Sequence, residues 1–95
     1  MNPSDSIQLP IDLPIDGTLD LHTFQPAEVP DLVPDYLEAC RAAGIHEVRI
    51  IHGKGTGTLK RTVEVLLAEC PLVEAFRTGD EAAGGWGATL VTLRK

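Results

Sequence analysis

The chain has 95 residues, 43% of them apolar but only 4% aromatic, and a formal net charge of −6. That length holds one domain around one small aliphatic core, and the charge excludes a protein that coats nucleic acid through a broad basic surface, because such affinity rests on neutralising many phosphates. No apolar run of about 18 residues exists, and Met1-Asn2-Pro3-Ser4-Asp5 lacks the basic flank and apolar stretch of a leader, so a soluble cytoplasmic protein without a membrane partner is expected.

The net charge hides a pattern. Residues 1–43 carry eight acids and one base, residues 44–62 one acid and four bases, and residues 63–95 five acids and three bases, which gives −7, +3 and −2. An acidic body with one basic island implies focused, salt-sensitive contact with a polyanion.

Residues 1–17, with Pro3, Pro10 and Pro14 and a loose alternation of Ile7, Leu9, Ile11, Leu13 and Ile15, read as an extended arm lying along a domain of residues 18–95. Thr18 to His22 reads as the first strand, with Leu19 and Leu21 on one face and Asp20 and His22 on the other. Helical spacing of Leu32, Val33, Tyr36, Leu37, Cys40 and Ala43 follows, with Asp31 as N-cap, Pro34 at a position that loses no hydrogen bond, and Gly44 as terminator. Glu47 to His52 is the second strand. Leu59, Val63, Leu66, Leu67 and Cys70 form the buried stripe of a second helix stopped by Pro71. Val73–Arg77 and Ala88–Leu93 are two further strands, joined by a loop containing Gly84-Gly85-Trp86-Gly87. Cys40 and Cys70 fall in the two helices without CxxC spacing and are expected to be free thiols.

The order is β-α-β-α-β-β, a two-layer α/β sandwich whose four-stranded sheet is mostly parallel. Right-handed crossovers make the first three strands parallel, and the fourth returns antiparallel.

The most informative segment is Ile50-Ile51-His52-Gly53-Lys54-Gly55-Thr56-Gly57-Thr58-Leu59-Lys60, a strand that passes through three alternate glycines into a helix. Such glycines let backbone N–H groups approach an anion while the helix points its partial positive end into the same space. Lys54, Lys60 and Arg61 add full charges, although Lys60 and Arg61 also read as an ordinary solvated helix face. The segment lacks the four-residue gap and Gly-Lys-[Ser/Thr] of a P-loop, and Thr58 stands where a dinucleotide fingerprint needs its last glycine. No small-molecule nucleotide cofactor is therefore expected. Parallel strands bring the ends of strands one and two to one edge, so Asp20, His22, His52 and the glycine loop converge on one crevice.

Leu19-Asp20-Leu21-His22, a helix ending at Gly44, Val48-Arg49-Ile50-Ile51-His52-Gly53-Lys54-Gly55-Thr56-Gly57, and Gly84-Gly85-Trp86-Gly87-Ala88-Thr89 together resemble the small MutS-related (Smr) domain over about residues 18–95. The resemblance implies a four-stranded sheet with two helices, similar to the C-terminal domain of bacterial translation initiation factor three. It also implies binding of DNA or RNA, in many members with endonuclease activity. The family's LDLH-type motif maps onto Asp20 and His22, and its HGxGxG-type motif onto His52, Gly53, Lys54, Gly55 and Gly57. One departure is that Thr23 and Phe24 follow His22 where most members have glycine, which implies narrower backbone access there.

In a phosphodiester nuclease built from these groups, His22 is the candidate base and Asp20 orients its imidazole. Lys54 and the N–H groups of the Gly53–Gly57 loop hold the phosphate, and His52 is the acid or a second phosphate contact. The competing reading gives Asp20 and His22 only a bracing role and makes His52 a turn-positioning residue, which leaves a DNA- or RNA-binding module without catalysis. Trp86 is either a base-stacking platform or a plug over the sheet. A divalent metal, Mg or Mn, on Asp20, His22 and His52 remains compatible with the residue types, but nothing else in the chain completes a shell. DNA against RNA, oligomeric state and pathway are not encoded in these motifs.

Overall fold

The structure is a computed structural model that describes residues 13–53, 57–79 and 87–95. Its strands are β1 (Thr18–Asp20), β2 (Glu47–Ile51), β3 (Val73–Thr78) and β4 (Ala88–Leu93), and its helices are α1 (Val29–Ala42) and α2 (Thr58–Glu69). Two short 3-10 turns, Leu21–Thr23 and Pro26–Glu28, lie between β1 and α1.

The sheet order is β1-β2-β4-β3. β1 pairs parallel with β2, and β4 pairs antiparallel with both β2 and β3. β1, β2 and β3 thus run one way and β4 the other, as the crossover rule requires, but insertion of β4 between β2 and β3 makes the sheet mixed by pairing.

Both helices pack on one side. Val29, Leu32, Val33, Tyr36, Leu37 and Cys40 of α1 and Val63 and Leu67 of α2 meet Leu19, Val48, Ile50, Val73, Val91 and Leu93 of the sheet in one buried cluster. Residues in register across strands share a face. The other face therefore carries Thr18, Glu47, Arg49, Leu90, Thr92, Ala75 and Arg77, and neither α1 nor α2 covers it. Along β3 the register shifts between Val73 and Ala75. This bulge lets Val73 and Phe76 both turn to the helices while Ala75 and Arg77 turn away.

Three local expectations need correction. β1 ends at Asp20, and His22 belongs to the 3-10 turn that follows. α1 begins at Val29 rather than after Asp31, because a capping box between Gln25 and Glu28 closes the preceding turn and leads straight into the helix. Asp31 instead lies in the first turn, where its charge favours the helix dipole. Pro34 is consequently inside the helix and removes the hydrogen bond to the Pro30 carbonyl, at an exposed residue where water can substitute. The C-terminus of α1 agrees with the sequence reading. Gly44 takes φ +82°, the Gly44 N–H donates to the Arg41 carbonyl and the Ile45 N–H to the Cys40 carbonyl, a Schellman closure.

Of the N-terminal arm, residues 13–17 are described. Leu13 and Ile15 pack against the core cluster. The buried Tyr36 hydroxyl accepts from the Gly17 N–H at 3.2 Å and donates to the Thr18 carbonyl at 3.1 Å. Burial and, secondarily, Cys40 push the Tyr36 phenol up to about 12. Cys40 is a buried free thiol and Cys70 a half-buried one; burial also pushes the Cys40 thiol up, which keeps it protonated and unreactive.

Candidate functional site

The carboxyl ends of β1 and β2 are neighbours, because Asp20 pairs with Ile51. Asp20 is the last strand residue and caps the turn that follows: its Oδ1 accepts the His22 backbone N–H at 2.9 Å. The same oxygen accepts from Nδ1–H of the His22 ring at 2.7 Å. A carboxylate only accepts, so this contact places the ring proton on Nδ1 and leaves the lone pair of a neutral imidazole on Nε2. The Asp20 carboxyl lies below its ordinary value, chiefly because it accepts the His22 backbone N–H; burial opposes this, and the hydrogen bond and charge of the His22 ring lower it further. Both side chains are solvent-accessible, His22 at 60% and Asp20 at 53%. Alternation along a strand, from which the pair was inferred, is not what brings them together. The cap at Asp20 turns the chain and folds His22 back over the carboxylate.

Nε2 of His22 faces Gly53. A Cβ built on Gly53 would stand 2.9 Å from that nitrogen, and Gly53 has φ +80°. The first glycine of the loop is thus fixed by backbone conformation and by the space the imidazole occupies. Gly57, at φ +85°, is the N-cap of α2 and brings no side-chain oxygen to the first helical turn, where a Ser or Asp cap would compete with an incoming anion. His52, Gly53, Gly57, Leu59, Lys60 and Pro26 line a groove of about 250 Å³. Lys60 is half-buried in that groove, whereas Arg61 is exposed on the outer side of α2. Lys54, Gly55, Thr56 and Trp86 lie outside the described residues.

His52 behaves differently from His22. It is 5% exposed, its Nδ1–H donates to the Gly53 carbonyl at 3.0 Å, and its Nε2 accepts from the Thr89 hydroxyl at 2.8 Å. Both nitrogens are engaged, so the ring has no atom to offer a phosphate or a metal. Among the described residues no three His, Cys, Asp or Glu side chains converge as a metal site. The Gly87 carbonyl completes the brace by accepting the N–H groups of His52 and Gly53, each at 2.9 Å. Sequence reasoning missed Thr89 as the partner of His52. The signal was available: Thr89 shares the inward phase of Val91 and Leu93, and a buried hydroxyl at such a position requires a partner. His46, at the other end of β2, has a buried Nδ1 with no hydrogen-bond partner among the described residues. Thr23, the departure beside His22, is exposed and without positive φ, so no glycine is required there.

These features define a two-layer α/β domain with a His–Asp pair set against a glycine-rich strand-to-helix loop. The Smr domain family model matches residues 19–94, and the chain belongs to the Smr domain family. It is 42% identical over 76 residues to endonuclease MutS2 of Carboxydothermus hydrogenoformans and 35% identical over 80 residues to endonuclease MutS2 of Clostridium tetani, matches that cover 80% and 84% of this chain. The chain spans only 10% of the length of each of those proteins. Among solved structures, the Smr domain of Thermus thermophilus MutS2 superposes with a TM-score of 0.77 at 37% identity, covering 82% of this chain and 98% of that one. YdaL, a stand-alone small MutS-related protein from Escherichia coli, superposes with a TM-score of 0.76 at 33% identity over 86% of this chain and 67% of its own. No described helix is long and apolar enough to cross a membrane.

Proposed function

We propose that this domain binds the backbone of DNA or RNA and cleaves phosphodiester bonds, with His22 as general base. The observation that carries the reading is the Asp20–His22 pair, whose 2.7 Å contact directs the free Nε2 at the space above Gly53. In this reading Nε2 takes the proton from water or a ribose 2′-hydroxyl as its oxygen attacks phosphorus. Asp20 holds the tautomer and stabilises the imidazolium that forms. The N-terminus of α2 and the ammonium groups of Lys54 and Lys60 stabilise the charge that develops on the phosphorane and the leaving oxygen. His52 acts at one remove: with Thr89 and Gly87 it sets the backbone of Gly53. The relatives named as endonucleases, and the likeness to an isolated Smr domain, support the same class of reaction.

A second reading keeps the binding and drops the chemistry. It draws on the cap that Asp20 supplies to the 3-10 turn, which is a sufficient structural reason for the carboxylate. Cleavage of end-labelled single-stranded RNA, duplex DNA and branched DNA, with and without a divalent metal, separates the two when His22→Ala is purified in parallel. Loss of cleavage in the variant with retained gel-shift binding supports the enzyme. Absence of cleavage by the parent protein, alongside binding, supports the module without catalysis.

A further inference from the structure

Among the described residues, a concavity larger than the groove at the glycine loop stands elsewhere. It lies on the face of the sheet turned away from α1 and α2, holds about 380 Å³, and has Arg49, Leu90, Arg77, Glu47, Thr92 and Ala75 in its lining. Arg49 and Arg77 are each in register with Leu90, one from β2 and one from β3. The two arginines therefore flank one apolar residue, two inter-strand spacings or about 10 Å apart at Cα. Among the described residues neither guanidinium has an ion pair. In a chain of net charge −6, two unpaired guanidinium groups in a concave surface form a local anion site.

The register orders the charges on this face. The row Thr18, Arg49, Leu90, Arg77 crosses all four strands, with Glu47 one row to one side and Asp20 one row to the other. The carboxylates confine a polyanion to the arginine row. That row ends at β1, the strand whose last residue caps the turn that carries His22. We propose that a single nucleic-acid strand runs along it, phosphates on Arg49 and Arg77 and a sugar or unstacked base on Leu90, on its way to the Asp20–His22 pair; this path rests on the function proposed above. The apolar floor between the cations suits a single strand, because a duplex keeps its base faces stacked inside and has none to lay on Leu90. Arg49 and Arg77 meet phosphates, which every sequence shares, so recognition there is independent of sequence.

The test is fluorescence anisotropy with labelled dT15 and rU15 on the full chain, comparing the parent protein with Arg49→Ala/Arg77→Ala and with the double lysine variant across a salt titration. Both arginines lie on the solvent face, and an unchanged melting curve verifies the fold. The expected result is a dissociation constant raised on the order of tenfold, with a salt slope lower by about 1.4, the loss of two single-strand phosphate contacts. The lysine variant should restore the slope. Unaltered affinity and slope in the alanine variant, with the parent binding normally, would overturn the path and leave the nucleic-acid function standing. A parent protein that binds neither oligonucleotide fails both. Equal displacement of dT15 by polyglutamate of the same charge would overturn the assignment in favour of an acidic peptide.

Discussion

The imidazole of His22 and the missing side chain of Gly53 occupy complementary space: a Cβ on residue 53 would lie 2.9 Å from Nε2. Gly53→Ala is therefore expected to cost about 1–2 kcal/mol through the left-handed backbone, while His22, solvent-exposed at its tip, swings off Asp20. Denaturant unfolding should show the modest stability loss and a cleavage assay a much larger one. Equal losses in both would mean that His22 does not depend on this space.

Because the pair is exposed, its removal should leave the fold intact. His22→Ala is expected to lower cleavage by about 10²–10⁴-fold, the usual contribution of a positioned base, with a melting temperature close to that of the parent. Asp20→Asn can still accept the His22 N–H but removes the charge, so cleavage should fall less than in His22→Ala. Stability that depends on Asp20 carries a sign: its folded value is depressed, so the contribution is present above the ordinary carboxylate value near 3.8 and disappears only as pH falls through the lower folded value.

His52 should show the reverse pattern. His52→Ala leaves the Gly53 carbonyl and the Thr89 hydroxyl without partners in a buried setting and is expected to destabilise by about 2–3 kcal/mol. Thr89→Val, which orphans only Nε2, should cost about 1–2 kcal/mol. Thermal unfolding of both variants checks this. A His52→Ala protein of parental stability that had lost cleavage would instead return the ring to the chemistry.

Tyr36 ties the arm to the domain, and its phenol titrates late. A raised folded value means that the stability it confers is complete below pH 10 and is lost as pH rises from there towards about 12. Tyr36→Phe should lose about 1–2 kcal/mol at neutral pH with the bonds to Gly17 and Thr18, and should then unfold with less alkaline sensitivity than the parent. Urea unfolding at pH 8 and pH 11 measures the difference; identical pH dependence in the two proteins would show that the hydroxyl is not enclosed in solution.

Much of this architecture was legible because apolar spacing and terminators agree along the chain. Ala88–Leu93 is a strand as read, Thr58 opens the second helix, and Gly44 closes the first. The misreadings share a cause. The end of β1 and the start of α1 are settled by side-chain caps from Asp20 and from Gln25 with Glu28, and such short-range hydrogen bonds leave no periodic trace. Asp20, His22 and Gly53 could be grouped from sequence because parallel neighbours share an edge. The separation of His22 from His52 could not, since both are histidines beside glycine or turn residues, and only Thr89, 37 residues further on, distinguishes them. Arg49 and Arg77 escaped notice because their kinship passes through Leu90 on a third strand.

The irregularity between Val73 and Ala75 fixes how β3 is spelled. Strict alternation would put Val73, Ala75 and Arg77 on one side of the sheet; the extra residue resets the phase halfway, so that the strand's two halves obey opposite parity. Flattening the bulge with Glu74 retained would exchange Phe76 and Arg77, sending a guanidinium beneath the helices and a phenyl ring into solvent, whereas deleting Glu74 would restore simple alternation with both in place. The segment carries one residue more than strict pairing needs, and its kink absorbs that residue so that the aliphatic interior and the outward charge both stay in place.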